Sequence, residues 1–506
     1  MFSHPKIRFL PVVAALVMLC GMAAWADPPS QAGRLSYISG SVSFQPASVD
    51  EWMPAELNYP LTTGDHLWTD AGARAEVHVP SASLRLNSTT DISFLNLDDE
   101  AVQVRLSEGS LNVSLRTPQD GTVFEIDTPN ATVTLPVAGV YRVDVPRDGK
   151  TTVTVRAGRA ELTAGDNEYD VNAGQSSDIS GSDSISFSVT SAARADEWDG
   201  WSADRDHRGD WVASNPNVSR DMIGIEDLDG NGTWLRDSGD GPAWAPSHVP
   251  SDWAPYRDGH WSWVAPWGWT WVDDAAWGFA PFHYGRWGYR DARWVWMPGA
   301  ARERHIYAPA LVIFVGGSGW TPASGGGVGW FPLGPREVYI PPYAVSSPYV
   351  QRINVAYVTN INVQVIERYN PDRVVYVNRT APRAVTAMPR DAFVQSRSAH
   401  GAAITLSAAE VTRAPLMGMT ARVAPQRESI IVKPPAQRAP VPQPPPASVT
   451  RRVFARVAPA PAPVPFAQQQ KALAANPGRP VEAAALSSLQ RGQKAAPPTF
   501  TTSKDA

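Results

Sequence analysis

Few residues in this chain have the types and spacing that chemistry needs. Asp227-Leu228-Asp229-Gly230-Asn231-Gly232 sets carboxylate and amide oxygens at alternate positions, as a calcium loop does. The bidentate glutamate expected at the twelfth position is replaced by Ser238, so a Gly/Asn turn leading into Trp234 is the favoured reading of Asp227, Asp229 and Asn231. The nine histidines show no metal-ligand spacing. His260 and His283 sit at matched places within Gly259-His260-Trp261 and Phe282-His283-Tyr284, and read as hydrogen-bonded structural groups. Gly316-Gly317-Ser318-Gly319 fails as a hydrolase elbow, because Trp320 stands where the last glycine belongs. Gly325-Gly326-Gly327 opens no helix with Lys-Ser/Thr. Asp273-Asp274 are adjacent, and adjacent strand residues face opposite ways, which does not suit shared acid–base work. Leu97 to Glu100 reads as a solvated acidic loop. No nucleophile, acid pair or metal set emerges, so the chain reads as non-catalytic, with no cofactor.

Tryptophan supplies the remaining candidate surface. Residues 209–343 hold 15 of the 20 tryptophans. Trp261, Trp263, Trp267, Trp269 and Trp271, with His260 and His283, are the candidate ligand-binding residues, and flat indoles stack well on sugars. The competing reading makes the rings themselves the core, and it is favoured for any single Trp. Trp267, in a turn, is expected to be exposed.

These residues need a setting. The first 26 residues read as a cleaved signal peptide: Lys6 and Arg8, an apolar run from Val12 to Cys20, then Ala24-Trp25-Ala26, leaving Asp27 first. Cleavage removes Cys20, the sole cysteine, and with it disulfides, thiolate metal sites and thiol nucleophiles. A periplasmic or secreted protein without a later transmembrane helix is expected. Residues 401–506 carry 13 Lys and Arg against 4 Asp and Glu, so a tail of +9 follows a body of −14. An acidic exported body argues against nucleic acid as partner and leaves cell-wall glycan or envelope proteins.

From 27 to 188 the chain reads as all-β. Alternating runs recur at Arg34–Ile38, Ser41–Phe44, Arg74–Val79, Ser83–Leu86, Val102–Leu106, Leu111–Leu115, Thr122–Ile126, Tyr141–Val145, Thr151–Val155 and Arg159–Leu162. Turn residues such as Gly40, Gly64-Asp65, Gly109, Asp120-Gly121 and Gly158 separate them, which predicts a sandwich or roll. Leu61-Thr62-Thr63-Gly64-Asp65, Leu106-Ser107-Glu108-Gly109-Ser110-Leu111, Phe124-Glu125-Ile126-Asp127-Thr128-Pro129, Gly139-Val140-Tyr141-Arg142-Val143 and Val155-Arg156-Ala157-Gly158-Arg159-Ala160 occur in the order that resembles the FecR family of periplasmic domains. The resemblance implies a β domain used in envelope sensing or scaffolding. The family's signalling members use a cytoplasmic segment and a membrane helix, and neither is read here.

Residues 189–208 predict one amphipathic linking helix whose Trp198 and Trp201 face packs on a neighbouring domain. Beyond it tryptophans pair at nine or ten residues: Trp234 with Trp244, Trp261 with Trp271, Trp287 with Trp296, Trp320 with Trp330. Gly232, Gly259 and Gly285 each stand two residues before a first member. This internal repeat predicts hairpins in which Trp263 faces Trp269 and Tyr289 faces Trp294. The stretch from Asp227-Leu228-Asp229 through Trp277-Gly278-Phe279-Ala280-Pro281-Phe282-His283-Tyr284-Gly285-Arg286-Trp287 to Pro341-Pro342-Tyr343 resembles a Trp-rich domain of unknown function that often follows FecR-like domains, and it carries no activity across.

Residues 344–404 read as extended and partly ordered, with strands at Asn354–Val358 and Arg373–Val377. From 405 onward the Ala/Pro-rich basic composition predicts disorder, relieved by a helical stub at Ala467–Ala475. The expectation is an all-β two-domain envelope scaffold or binding protein. Its rivals are a glycan- or peptidoglycan-binding module using exposed Trp, and a FecR-type signalling component.

Overall fold

The computed structural model describes residues 27–116, 121–147, 149–182, 184–209, 212, 215–235, 241–317, 320, 326–358, 369–431, 441–491 and 500–502. The expected signal segment, Asp120, Ser318, Gly319 and Gly325 lie outside the described residues. No helix among the described residues is long and apolar enough to cross a membrane.

One long strand, Ala101–Leu115, organises the first domain. Its first half pairs with Thr90–Leu97 and, in parallel, with Val123–Asp127. Its second half pairs with Ala82–Leu86 and Gly139–Val145. The strand thereby belongs to both halves of a folded 17-strand sheet. Sequence reading places a turn at Gly109; the structure instead carries the strand through it. Gly109 has φ +103°, and a Cβ there would lie 2.4 Å from the Thr90 backbone. The register slips beside it, from Asp91↔Glu108 to Ile92↔Leu106, a bulge that bends the strand from one half-sheet to the other. Leu35, Val77, Leu84, Val113 and Val143 from one half meet Phe44, Leu67, Ile92, Val104 and Ile126 from the other in a common core. Each such side chain contributes about 1.5–3 kcal/mol on burial. Further strands at His66–Thr69, Thr90–Leu97, Asn167–Asn172, Gln175–Ser180 and Ser186–Ser191 escape the sequence reading. The last two are rich in serine, and Ser186–Ser191 is almost wholly exposed, so no apolar alternation marks it.

The linking helix is shorter than predicted, Glu197–Asp206. Asp196 caps it and Asp199 returns the bond, so the capping box starts the helix after Ala192, Ala193 and Ala195. Trp198 and Trp201 stack at 4.8 Å under the Arg74 guanidinium, with Tyr37 5.5 Å from Trp201. The Trp face therefore packs back on the first β domain.

The predicted tryptophan registers are met in three hairpins. Trp234 faces Trp244, Trp261 faces Trp271, Trp263 faces Trp269, Trp287 faces Trp296 and Tyr289 faces Trp294. Trp244 also pairs with Trp296, which joins the first and third hairpins into one four-strand sheet. The repeated glycines gain a physical reason: each leaves room for its partner's indole. A Cβ on Gly232 would stand 2.2 Å from the Trp244 ring, on Gly259 2.7 Å from Trp271, and on Gly285 2.2 Å from Trp296. The fourth pair is a correction. Trp330 faces Phe314, not Trp320, because the run at Leu311–Val315 supplies the partner strand, Val312–Gly317. Trp320 lies beyond that strand and covers Gly327 and Gly329.

The boundary at 343 is also corrected. Thr386–Pro389 and Leu416–Gly418 flank the last hairpin in a second four-strand sheet. The strands expected at Asn354–Val358 and Arg373–Val377 are replaced. Helix Ser347–Asn354, capped by Ser346, ends at the start of the first and a turn follows it, and short 3-10 turns at Pro371–Arg373 and Val377–Thr380 bracket the second. The disorder expected from 405 is a third correction. Described tail residues form short helices, including Phe466–Ala475 at the predicted stub, and bury Val453, Val464, Phe466 and Leu473. Such a composition builds no core of its own; it borrows the surface of the body.

Buried polar contacts join the two domains. Arg34, 1% exposed, donates to Asn58 Oδ1 at 2.9 and 3.1 Å and to the Ala276 carbonyl at 2.8 Å, and pairs with Asp227. Asn58 donates to the carbonyls of Asp273 and Ala275 at 2.9 and 2.7 Å. His78 bridges Glu76 of the first domain, at 3.0 Å, and Glu226 of the second. Burial opposes the imidazolium, but the two carboxylates outweigh it and raise the His78 pKa to about 9.

Two outcomes follow. Gly285→Ala pushes a methyl into the Trp296 indole at positive φ, and lowers stability by about 1–3 kcal/mol in the tryptophan-fluorescence unfolding transition. The His78 contribution is complete below the ordinary pKa of about 6.5 and is lost as pH rises through about 9. The melting temperature of the native chain therefore falls between pH 7 and 9 more steeply than that of His78→Gln. Parallel profiles would remove His78 as a domain coupling.

Candidate peptide-docking face

The tryptophan candidates are core residues. Trp261, Trp263, Trp267, Trp269 and Trp271 are all buried, and Trp267, expected at the surface, is 1% exposed against Tyr307 at 4.7 Å. Trp261 meets Trp271, Trp330 and Phe314 at 5.5, 5.4 and 4.9 Å. Trp269 donates to the Val423 carbonyl and Trp271 to Asp273, each at 2.9 Å. With ring faces covered by other rings, no stacking platform is offered. His283 bonds the Ala308 carbonyl at 2.8 Å, and burial lowers its pKa to about 3. His260 lies 3.4 Å from Glu56; burial lowers its pKa to about 4, while burial and Asp274 raise that of Glu56 to about 7. Between about pH 4 and 7 the contact therefore joins two neutral groups. The calcium candidates also turn elsewhere: Asp227 takes Arg34, and Asn231 donates to the Asp227 carbonyl at 2.8 Å. No cluster of three or more metal-ligating side chains occurs among the described residues.

A second candidate arrangement lies on the other domain. In Val102-Gln103-Val104-Arg105-Leu106-Ser107 and Phe124-Glu125-Ile126-Asp127, the apolar residues face the core and the polar ones face outward. That outer row should be wet, yet Gln103, Arg105, Ser107, Glu125 and Asp127 are buried, and so is Asp91 on the neighbouring strand. The tail from Pro446 to Phe466 covers them.

Most of the contacts read main chain. Arg105 donates to the carbonyls of Ser448, Val449 and Arg451 at 3.0, 2.8 and 2.7 Å, capping the short helix Pro446–Val449 with a cation. Gln103 donates to the Val457 carbonyl at 2.9 Å and Asn96 to that of Ala458 at 3.3 Å. Glu125 accepts from the amides of Arg456 and Val457 at 3.1 and 3.0 Å. The amides of Phe454, Ala460 and Phe466 reach carbonyls of Thr128, Leu95 and Ser48. Prolines at 459, 461, 463 and 465 remove alternate amides, so the segment presents few donors that need partners.

The face is tuned by its own neighbours. Burial alone would raise the Asp91 pKa, but His66, the Ser448 hydroxyl and Arg105 together hold it below the usual carboxylate range. Burial and the adjacent Glu125 push the Asp127 carboxyl well above that range. Charge adds to the fit: Arg427 pairs with Glu51 at 2.6 Å and Arg456 with Glu168 at 3.7 Å, basic tail on acidic body.

With this geometry in place, comparisons with known proteins fix the frame. Residues 65–161 match the FecR protein family. Residues 225–337 match the family of unknown function DUF6600. The docking face, from Asp91 to Asp127, lies wholly within the FecR-like domain. Two solved structures of a "putative anti-sigma factor" from Parabacteroides distasonis ATCC 8503 are similar at 14% and 13% identity. They cover 34% and 46% of this chain and 95% and 98% of their own, with TM-scores of 0.24 and 0.23. A search of curated proteins finds no match.

Sequence reading saw the alternation of the FecR-like strands but singled out none of their outward polar residues. The signal available was the rarity of Arg and paired acids in the middle of such strands. Arg105→Ala removes three carbonyl bonds and leaves the fold intact. Hydrogen exchange at the amides of Phe454, Val457 and Phe466 then accelerates by about tenfold or more, while Val104 and Leu106 stay protected. Unchanged exchange in the tail would show that Arg105 does not hold it.

Proposed function

We propose that the protein is a non-catalytic binding or scaffold protein of the cell envelope whose FecR-like domain grips extended, proline-containing polypeptide. The observation that carries this reading is the buried polar row of Gln103, Arg105 and Glu125 bonded to the main chain of residues 448–457. Such contacts recognise backbone, as strand-addition and polyproline modules do, and tolerate many side chains. In this conformation the chain's own tail is the occupant. The Trp-rich domain serves as a rigid partner body, with its rings committed to packing. Export to the periplasm rests on the signal-like first 26 residues, which end beside the small residues Ala24 and Ala26.

The test is a full-length chain with a protease site placed between residues 432 and 440. Once cut, the 441–506 fragment should rebind with a Kd near the micromolar range, and Arg105→Ala should weaken rebinding by about tenfold or more. A proline-matched peptide of altered side chains should compete. Failure of the fragment to rebind, or indifference to Arg105, would discard the reading.

A further inference from the structure

A second site is built where the FecR-like sheet, the linking helix and the start of the Trp-rich domain meet. A cavity of about 310 Å³ opens there, at the lower end of small-ligand pockets. Its floor is a buried ionic cluster. Glu76 accepts from Arg85 Nε at 2.6 Å and from Arg205 at 2.7 and 2.6 Å, and Asp206 takes Arg85 Nη2 at 2.7 Å. The two other lining carboxylates are also committed, Glu226 to His78 and Asp227 to Arg34.

Four lining groups are left over. Arg116 and Arg208, both exposed, have no ion pair or side-chain hydrogen bond among the described residues, and the Arg116 charge helps to hold Glu226 ionised. Ser83 and Ser114 are cross-strand partners, so both hydroxyls stand side by side on one face. Neither hydroxyl has a bonded partner among the described residues, although Ser83 is only 6% exposed. Arg116 follows Ser114 by two residues and shares that face. Both hydroxyls open onto the cavity, and Ser114 is half-buried. Two hydroxyl donors and the guanidinium forks of two exposed arginines at the rim of one cavity, with every lining carboxylate already paired, match the oxygens of an anion.

We propose that this cavity is an oxyanion site that takes a small phosphate- or carboxylate-bearing ligand between Ser83, Ser114, Arg116 and Arg208. The ligand touches the FecR-like sheet through Ser83, Ser114 and Arg116 and the end of the linking helix through Arg208. It therefore binds at the joint between the two domains, apart from the tail-docking face.

The test titrates the full-length chain with inorganic phosphate and, separately, with succinate, by calorimetry at low ionic strength. Saturable binding of at least one anion is expected below about 10 mM. Phosphate alone identifies a phosphoryl ligand and succinate alone a carboxylate. Arg116→Ala/Arg208→Ala and Ser83→Ala/Ser114→Ala should each weaken it by about tenfold or more, since charged hydrogen bonds contribute about 1.5–3 kcal/mol. The exposed Arg413→Ala should leave it unchanged. Because the two hydroxyls bond nothing else, their removal leaves the fold intact and keeps the test readable. No saturable binding of either anion, equal affinity in the double variants, or an equal loss in Arg413→Ala would overturn the proposal.

Discussion

A guanidinium buried between two domains sets the terms for this molecule. Arg34 sits at 1% exposure with four claims on it: Asn58, the Ala276 carbonyl, Asp227 and the face of Phe279 at 5.5 Å. A buried charge is costly unless every partner is in place, and removing one partner of such a pair costs about 3–5 kcal/mol. Strand Gly33–Ser39, which carries Arg34, and the turn that carries Asp227 are therefore held in one arrangement. Even Gly224 is part of it, since a Cβ there would lie 2.8 Å from the guanidinium. The hydrophobic core runs without interruption from Leu35 to Phe331, so the two families of strands share one interior.

Within that interior the tryptophans solve a problem of supply. The Trp-rich stretch has few leucines and isoleucines, and its strands are only four to six residues long. Large rings let short hairpins bury enough apolar surface, and edge-to-face pairs such as Trp263 and Trp269 at 84° add geometric definition. Indole N–H groups would be a liability in such a core. Trp287, Trp296 and Trp330 donate theirs to the carbonyls of Pro281, Tyr284 and Tyr256, and so pin the connections to the sheets.

Hairpin registers were legible because two aromatic residues at fixed separation leave one symmetric way to pair, as for Trp261 and Trp271. The fourth hairpin was not, because Phe314 competes with Trp320 for Trp330 and sequence spacing ranks tryptophan first. Gly109 was read as a turn because a glycine between two apolar runs ordinarily is one; a bulge inside a 15-residue strand leaves the same trace. The docking face was half legible. Alternation at Val102 to Ser107 announced a strand, but no local pattern says that a segment more than 300 residues later will cover it. Composition misled about the tail for a related reason: propensity describes what Pro459 to Phe466 can build alone, and the body supplies the rest. The Arg34 junction left almost no mark in the sequence, since an arginine in an alternating strand is ordinarily a surface residue.

The tail's position on its own chain has a consequence for selectivity. A tethered occupant acts as if present at about millimolar concentration, however dilute the protein is. Main-chain bonds of no more than about micromolar strength therefore suffice to keep residues 446–466 seated. A foreign segment gains the face only if its affinity times its own concentration exceeds that internal product. On the function proposed above, the face would work as a threshold device: indifferent to sparse or casual ligands, and switched when a partner is locally crowded or presents several copies at once.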